Sequence, residues 1–197
     1  KGVSADSLSP LQVHKGFVGG PFKRKPFAKC KISGLLAIPK PDGRVRPVVN
    51  LSSPKGSSVN DGMDKDKLNA EWLVKMCTPV QFAQALLIEG RGTKMYKSDQ
   101  VDAYKCVPLD VKELPLQVIK WLGAFFVDLK LVMGSGSSAN NYDRFHQLVI
   151  DLAIEETEVG RSRVFKILDD LIAIDGPGDT EAREFIWSYK RICGELN

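Results

Sequence analysis

Two adjacent aspartates, Asp169 and Asp170, stand between two apolar runs, residues 164–168 and 171–174. Because runs of this length and composition are typical of strands, the pattern predicts a tight hairpin with both carboxylates at its tip. Neighbouring carboxylates repel each other, and Mg²⁺ prefers a few carboxylates together with water and phosphate oxygens. The pair therefore indicates a cation site. Taken alone, the pair is better explained as an ordinary polar turn.

A second acidic site strengthens the metal interpretation. Residues 94–98 are typical of a short strand, and they lead directly into Asp99. If this strand lies beside the hairpin, a strand spacing of about 4.8 Å brings Asp99 close to Asp169. Two metal ions about 4 Å apart can activate an attacking oxygen and stabilise a leaving oxygen in phosphoryl transfer. Since successive strand residues point to opposite faces, we expect Asp169 to be the full ligand and Asp170 to support it.

The remaining chain alternates between helix and strand patterns. After Gly62 the predicted order is helix, strand, hairpin, helix, hairpin, helix, which favours an α+β fold with an antiparallel sheet backed by helices. The segments are a hairpin of residues 35–38 and 45–50, a helical region 64–89 broken at Pro79, a hairpin 116–129, and helices 139–155 and 179–196. The apolar stripe expected on helix 139–155 is Tyr142, Phe145, Val149 and Leu152.

Charge is distributed unevenly along the chain. Residues 1–60 contain eleven Lys and Arg residues and two Asp residues, a net charge of +9, whereas the whole chain carries +4. The remaining residues therefore total −5. A polyanion bound by the basic first part and cations bound by the acidic remainder would explain this asymmetry. A solvated basic face is the alternative.

Composition and the cysteines exclude several classes of protein. Hydrophobic residues make up 43% of the chain and charged residues 26%, which is ordinary for a soluble globular protein. No window approaches the ~18 apolar residues that a membrane span needs. The four cysteines are widely spaced without a CxxC pair, which disfavours a zinc site. We expect an intracellular protein, without distinguishing cytoplasm from nucleus, and, because the chain begins at Lys1, a piece of a longer one.

Four motifs together resemble those of reverse transcriptases, in the family's order. Residues 99–109, DQVDAYKCVPL, resemble the first catalytic-acid motif, D-x-x-x-A-[YF]-x-x-[VI]-P-[LV]. Residues 131–139, LVMGSGSSA, are similar to the glycine-containing loop, and residues 168–170, LDD, to the acidic hairpin. Upstream, residues 38–50, IPKPDGRVRPVVN, resemble the fingers hairpin. The resemblance covers roughly residues 35–195 and implies a right-hand polymerase with fingers and a palm built on a ferredoxin-like sheet.

The resemblance implies roles for individual residues. Two Mg²⁺ ions, with Mn²⁺ as the alternative ion, would be held by Asp99, Asp169 and Asp170. The residues expected to contact the incoming nucleotide are Lys40, Arg46, Tyr104, Met133 and Gly134. Among them, Lys40 and Arg46 would contact the triphosphate, and Tyr104 would exclude a ribose 2′-hydroxyl. Gly134 would allow the backbone to approach the nucleotide closely.

Departures from the family pattern concern the nucleotide pocket. Met133 stands where the family has Gln or Phe, Asn140 replaces a Pro, and Asn50 replaces a frequent Asp. Within the family, residues 54–61 and 142–145 are most similar to the tyrosine-recombinase retrotransposons of the DIRS and Ngaro type. We expect these departures to change the shape of the nucleotide pocket, whereas the catalytic acids are intact.

We therefore expect a fingers lobe with a basic arm in residues 1–93 and a palm in residues 94–197, interleaved to some extent, with the thumb absent. The partners would be a primed RNA or DNA template and a deoxynucleoside triphosphate, with no membrane. A domesticated scaffold that binds nucleic acid without polymerising it is the main alternative. An RNA-templated RNA polymerase is a third hypothesis, which the position of Tyr104 disfavours.

Overall fold

The computed structural model describes residues 10–39, 41, 45–71 and 74–195. It contains five α-helices and eight β-strands in these described residues. In chain order they are α1 (Pro10–His14), β1 (Val18–Phe22), β2 (Ile32–Pro39), β3 (Val45–Asn50), α2 (Lys65–Glu71), α3 (Pro79–Glu89), β4 (Lys94–Asp99), β5 (Val118–Trp121), β6 (Ala124–Asp128), α4 (Ser138–Glu155), β7 (Val164–Ile167), β8 (Asp170–Asp175) and α5 (Glu181–Glu195).

The chain divides into two compact units, each made of two separate segments. Unit 1 comprises Lys1–Ala70 and Tyr104–Ser138, and unit 2 comprises Glu71–Ala103 and Ala139–Asn197. The boundaries of these units differ from the predicted boundary after residue 93. Helix α3, which precedes that boundary, belongs to the same unit as β4, which follows it. Their correspondence to fingers (1–93) and palm (94–197) stays a prediction.

Unit 1 contains a five-stranded sheet in the order β1-β6-β5-β2-β3. The hairpin of β2 and β3 is antiparallel, with Leu36 opposite Val48, and β5 and β6 form the second predicted hairpin. The sheet is not antiparallel throughout as expected, because β2 and β5 are parallel, with Ile32 opposite Val118. Parallel neighbours need a long connection, and the chain between β2 and β5 supplies one.

A small apolar cluster covers part of unit 1. Leu51, Val59 and Val132 are buried together, and Val49 and Met63 pack against them. Leu51 follows β3, whereas Val132 lies in the segment before α4, so the cluster joins two distant parts of the chain. Burying side chains of this size stabilises a fold by about 1.5–3 kcal/mol each.

Unit 2 contains a three-stranded antiparallel sheet in the order β4-β8-β7. Lys94 lies opposite Asp175 at one end of the β4–β8 pair, and Asp99 lies opposite Asp170 at the other. Both strands match the segments predicted from the sequence. The β5–β6 hairpin belongs to the sheet of unit 1, so it does not extend this one.

Helices α4 and α5 bury their apolar faces in the core of unit 2. On α5, Phe185, Tyr189 and Ile192 form the predicted stripe, while Leu196 lies outside the described residues. On α4, Leu152 is exposed, contrary to expectation, because the buried stripe follows a 3.6-residue period through positions that include a histidine. The buried stripe of α4 comprises Tyr142, His146, Val149, Ile150 and Ala153.

The predicted break at Pro79 is confirmed. Helix α3 begins at Pro79, where the missing backbone N–H is not needed. Thr78 and Gln81 form a reciprocal capping box in which each side chain accepts a hydrogen bond from the other residue's backbone N–H. No helix among the described residues is both long and apolar enough to span a bilayer.

Candidate active site

The three predicted catalytic acids meet at one end of the unit 2 sheet. Asp99 is the last residue of β4 and is exposed, and its partner across the sheet is Asp170, the first residue of β8. Asp169 lies in the two-residue turn that joins β7 to β8. Since Asp169 precedes the strand, strand alternation does not distinguish its role from that of Asp170, and the assignment of the full ligand stays a prediction.

Lys97 lies among these carboxylates. Its ammonium group forms an ion pair with Asp170, with 2.9 Å between Nζ and Oδ1. The hydrogen bond to Asp170 raises the pKa of Lys97 most, and the negative charges of Asp170, Asp99 and Asp169 raise it further. One ammonium group therefore responds to all three acids. The sequence analysis missed Lys97, although its position two residues before Asp99 places it on the same face of β4.

The donor atoms at this sheet end fit Mg²⁺. Among the described residues no group of three or more His, Cys, Asp or Glu side chains is arranged to hold a metal ion. Mg²⁺ does not require one, because it is commonly bound through one or two carboxylates, several waters and phosphate oxygens. Asp99 and Asp170, as cross-strand partners, supply hard oxygen atoms at an accessible edge. Lys97 places one positive charge beside Asp170 at the same edge.

Below the acids, unit 2 contains a buried polar network. The Tyr142 hydroxyl donates a hydrogen bond to Oε1 of Gln100 at 2.6 Å. Nδ1 of His146 lies 2.6 Å from the carbonyl oxygen of Leu168, and Nε2 lies 2.8 Å from the Tyr189 hydroxyl. Burial is the main reason that the pKa of His146 is lowered. This role of His146 was not predicted, because an isolated histidine offers no motif by which it could be found.

The predicted nucleotide loop lies in unit 1. Met133 is 46% exposed, and Gly134 has a φ of +103°, a conformation that disfavours other residues. Asn60, absent from the predicted site, bridges this loop: Nδ2 donates to the carbonyl oxygen of Gly134 at 2.9 Å, and Oδ1 accepts from the backbone N–H of Gly136 at 2.9 Å. Its Nδ2 also donates to Oγ of Ser52 at 2.8 Å.

Replacing Asn60 with alanine should loosen the glycine loop. The change removes three hydrogen bonds, each contributing about 0.5–1.5 kcal/mol, so we expect a loss of about 2 kcal/mol in the free energy of unfolding. Urea unfolding of both proteins measures the difference. Asn141→Ala, at an exposed position of α4, is the control and should change stability by less than about 0.5 kcal/mol. An equal effect of the two substitutions would contradict the assignment.

The other predicted nucleotide contacts are less well described. Tyr104 belongs to unit 1 and is half-buried in the 3₁₀ turn Ala103–Cys106. The backbone of Arg46 lies in β3 opposite Ile38, whereas its side chain lies outside the described residues, as does the whole of Lys40. The roles of these residues stay predictions.

Solved structures identify the fold. No protein-family model matches the chain, and no curated protein does. The native protease-reverse transcriptase of prototype foamy virus is similar, with a TM-score of 0.58, 16% identity, and coverage of 94% of this chain and 21% of the viral one. A foamy viral protease-reverse transcriptase in complex with double-stranded DNA gives a TM-score of 0.67, 12% identity, and coverage of 98% and 30%.

A mutant of the prototype foamy virus protein gives a TM-score of 0.61 at 15% identity, with coverage of 100% of this chain and 23% of that one. The chain therefore has an α+β fold like that of reverse transcriptases. It spans less than a third of the length of these viral proteins. At such low identity the likeness shows the fold, and the chemistry must be argued from the residues of this chain.

Proposed function

We propose that this chain is the catalytic core of an RNA-directed DNA polymerase, a nucleotidyltransferase, with unit 1 as the fingers and unit 2 as the palm. The observation that carries the proposal is the convergence of Asp99, Asp169 and Asp170 at one sheet end of a reverse-transcriptase-like fold. The reaction would be attack of a primer 3′-oxygen on the α-phosphate of a deoxynucleoside triphosphate, with pyrophosphate as the leaving group.

The carboxylates would act by holding divalent ions. Mg²⁺ bound there would stabilise the charge that develops on the reacting phosphate and favour ionisation of the primer hydroxyl. Asp99 and Asp169 would hold the ions, and Asp170 would complete the acidic edge once Lys97 releases it. All three carboxylates raise the pKa of Lys97, so its single positive charge would offset part of their repulsion.

Residues of unit 1 would bind and select the nucleotide. Lys40 and Arg46 would contact the triphosphate, since an ammonium and a guanidinium both bind phosphate oxygens well. Tyr104 would lie beneath the sugar and exclude a 2′-hydroxyl. The exposed loop at Met133 and Gly134 would present backbone to the nucleotide, with Asn60 keeping it in one conformation.

Substituting Tyr104 with valine should admit ribonucleotides, because the smaller side chain leaves room for a 2′-hydroxyl. Assuming that the tyrosine excludes the hydroxyl by contact, we expect discrimination between deoxy- and ribonucleotides to fall by at least about tenfold, equivalent to about 1.4 kcal/mol. Single-nucleotide incorporation with both substrates measures the ratio. Tyr104→Phe is the matched control and should keep the wild-type ratio. A ratio unchanged in the valine variant would assign the selectivity to another residue.

The nucleic acid would be held largely through its phosphates. In the part of the chain that the structure describes, the first segment of unit 1 exposes several cations: Lys15, Lys23, Arg24, Lys25, Lys29 and Lys55. Such a surface suits a primed template, which would be recognised through its backbone rather than its sequence.

Binding of a primed template should therefore weaken steeply with salt. If about six phosphates are neutralised, the affinity should fall by about a thousandfold between about 50 mM and about 200 mM salt. Fluorescence anisotropy with a labelled RNA–DNA hybrid measures this dependence, and scrambled sequences should behave alike. A flat salt response would contradict the proposed role of the basic segment.

Primer extension tests the proposal itself. The chain should extend a DNA primer on an RNA template with deoxynucleotides in Mg²⁺ or Mn²⁺, and removal of the ion with a chelator should abolish the product. Metal-dependent binding of a deoxynucleoside triphosphate is the second measurement, because it does not require the chain to bind the primer–template duplex. Failure of both measurements would reject the proposed function.

The ion pair between Lys97 and Asp170 gives a second candidate function some support. A scaffold derived from a reverse transcriptase could keep Asp170 paired with Lys97 and need no divalent ion. The substitutions at Met133 and Asn140 agree with such a protein. The two candidate functions differ in how nucleotide binding responds to Mg²⁺. A polymerase should bind nucleotide more tightly as the Mg²⁺ concentration rises, whereas nucleotide binding by a scaffold should not depend on Mg²⁺.

The comparisons give no support for a narrower assignment to the tyrosine-recombinase retrotransposons. It stays a proposal based on residues 54–61 and 142–145. In the structure the first of these segments is internally bonded, since the backbone N–H and the hydroxyl of Ser58 both donate to Asp61. The pattern therefore reflects a defined local structure. Sequencing of the adjoining gene for a tyrosine recombinase would test the assignment.

A further inference from the structure

Helix α4 contacts both acid-bearing segments of unit 2 through two buried side chains. Tyr142 and His146 are four residues apart, so they project from the same face of the helix. Both have 0% exposure. Tyr142 bonds to Gln100, the residue after Asp99, and His146 bonds to the carbonyl of Leu168, the residue before Asp169. Asp99 and Asp169 are thus each adjacent in sequence to a residue that α4 holds. Gln100 is held through its side chain, and Leu168 is held through its backbone carbonyl.

The hydrogen bonds of His146 define its tautomer. A carbonyl oxygen can only accept, so Nδ1 carries the proton and donates to Leu168. Burial favours the neutral ring, which leaves Nε2 as an acceptor for the hydroxyl of Tyr189 on α5. Both ring nitrogens are therefore satisfied in one orientation of the imidazole. A ring fixed on both sides can fix the group to which it is bonded.

The bonded carbonyl belongs to the peptide that joins Leu168 to Asp169. Leu168 has a φ of +55°, a left-handed conformation that costs a leucine about 1–2 kcal/mol and persists where the surroundings enforce it. Because a peptide group is planar, holding the Leu168 carbonyl also sets the direction in which the chain enters Asp169. The His146 hydrogen bond therefore acts on the backbone that carries the acid.

We propose that Tyr142, His146 and Tyr189 are positioning residues that hold the Asp99 and Asp169 segments at the separation needed for a shared divalent ion. The inference rests on the proposed function in one respect, that these acids bind such an ion. It predicts that disturbing buried groups away from the metal weakens metal binding beyond what their effect on stability explains.

The test combines Mn²⁺ titration with amide hydrogen exchange on the intact chain. His146→Leu removes both hydrogen bonds and should weaken Mn²⁺ binding by about tenfold or more. Losses of this size are common when a residue that orients a metal ligand is replaced. His146→Asn keeps a donor near the position of Nδ1 and should recover much of the affinity. Exchange at residues 167–170 should be faster in His146→Leu and near normal in His146→Asn. Tyr189→Phe is the milder variant if His146→Leu does not fold.

The control is Val149→Ala, a buried core position on the same helix that contacts neither acid segment through a hydrogen bond. Variants are compared at matched loss of melting temperature. If Val149→Ala weakens Mn²⁺ binding and speeds exchange at residues 167–170 as much as the His146 or Tyr189 variant does, the network is merely structural and the inference is overturned. Unchanged exchange at residues 167–170 in the folded His146 or Tyr189 variant would also overturn it.

Two further measurements distinguish failure of this inference from failure of the proposed function. Wild type that binds no Mn²⁺, or Asp169→Asn that binds it as tightly as wild type, would reject the metal site. The exchange measurement does not need metal, so it still decides whether the network holds the Leu168–Asp169 peptide. Tyr142→Phe, which removes one hydroxyl and keeps the ring, applies the same measurement to residues 99–101.

Discussion

Asparagine in place of Asp169 or Asp99 should remove primer extension almost completely while leaving the fold intact. Both side chains lie at an accessible sheet end, and neither is part of the apolar core of unit 2. The substitution keeps the shape and deletes the charge that would hold a divalent ion. If each ion contributes several kcal/mol to the transition state, the rate should fall by at least about a thousandfold, at about 1.4 kcal/mol per factor of ten.

The rate measurement needs a control for charge and for position in the chain. Asp102→Asn is well matched, because Asp102 is exposed, lies three residues after Asp99, and has a φ of +53° that asparagine tolerates. It should extend primers at close to the wild-type rate. The melting temperature of Asp169→Asn without metal should stay level or rise slightly, since carboxylate repulsion is relieved. Extension by Asp169→Asn near the wild-type rate would show that the two-metal assignment is wrong.

The largest effect on stability should follow loss of the buried charge pair between helix α4 and strand β7. Lys166 and Asp143 have 9% and 1% exposed side chains, and 2.7 Å separates Nζ from Oδ1. Lys166→Met leaves the Asp143 carboxylate buried without its cation, which should cost about 3–5 kcal/mol of the free energy of unfolding. Domains of this size have about 5–15 kcal/mol in total, so the variant should be close to unfolding.

Chemical denaturation of three variants tests whether the loss of stability comes from the charge pair or from the individual side chains. Arg161→Met, which breaks the exposed pair with Asp151, should cost less than about 1 kcal/mol. The double variant Asp143→Leu and Lys166→Met should recover most of the loss, because the uncompensated charge is gone. A double variant that is less stable than Lys166→Met alone would show that the charge pair is not the reason.

Local patterns in the sequence predicted most individual elements of this fold. Strand β4 and the β2–β3 hairpin follow from short β-type runs around turn residues, and α3 begins at the proline that the sequence singled out. The parallel pairing of β2 with β5 and the grouping of residues 71–93 with unit 2 were not predicted. Both depend on contacts between distant segments, which no local periodicity encodes.

The residues of the candidate site likewise include some that the sequence predicted and some that it did not. Asp99, Asp169 and Asp170 were found because they belong to motifs, and all three lie at one end of the unit 2 sheet. Lys97, His146 and Asn60 were missed because each is a single polar residue whose partners lie far away in sequence. His146 also interrupts the apolar stripe of α4, which led the prediction to Leu152 instead.

The pairing of β4 with β8 has a consequence for synthesis of the protein. About seventy residues separate the two strands, so a ribosome working at about 5–20 residues per second leaves β4 without its partner for several seconds. During this interval the strand exposes unpaired backbone groups that could pair with another chain. Lys94 and Lys97 place positive charges on that strand, and charges of this kind oppose pairing between nascent copies. Lys97 would then protect the unfinished chain before its ion-pair partner, Asp170, is synthesised.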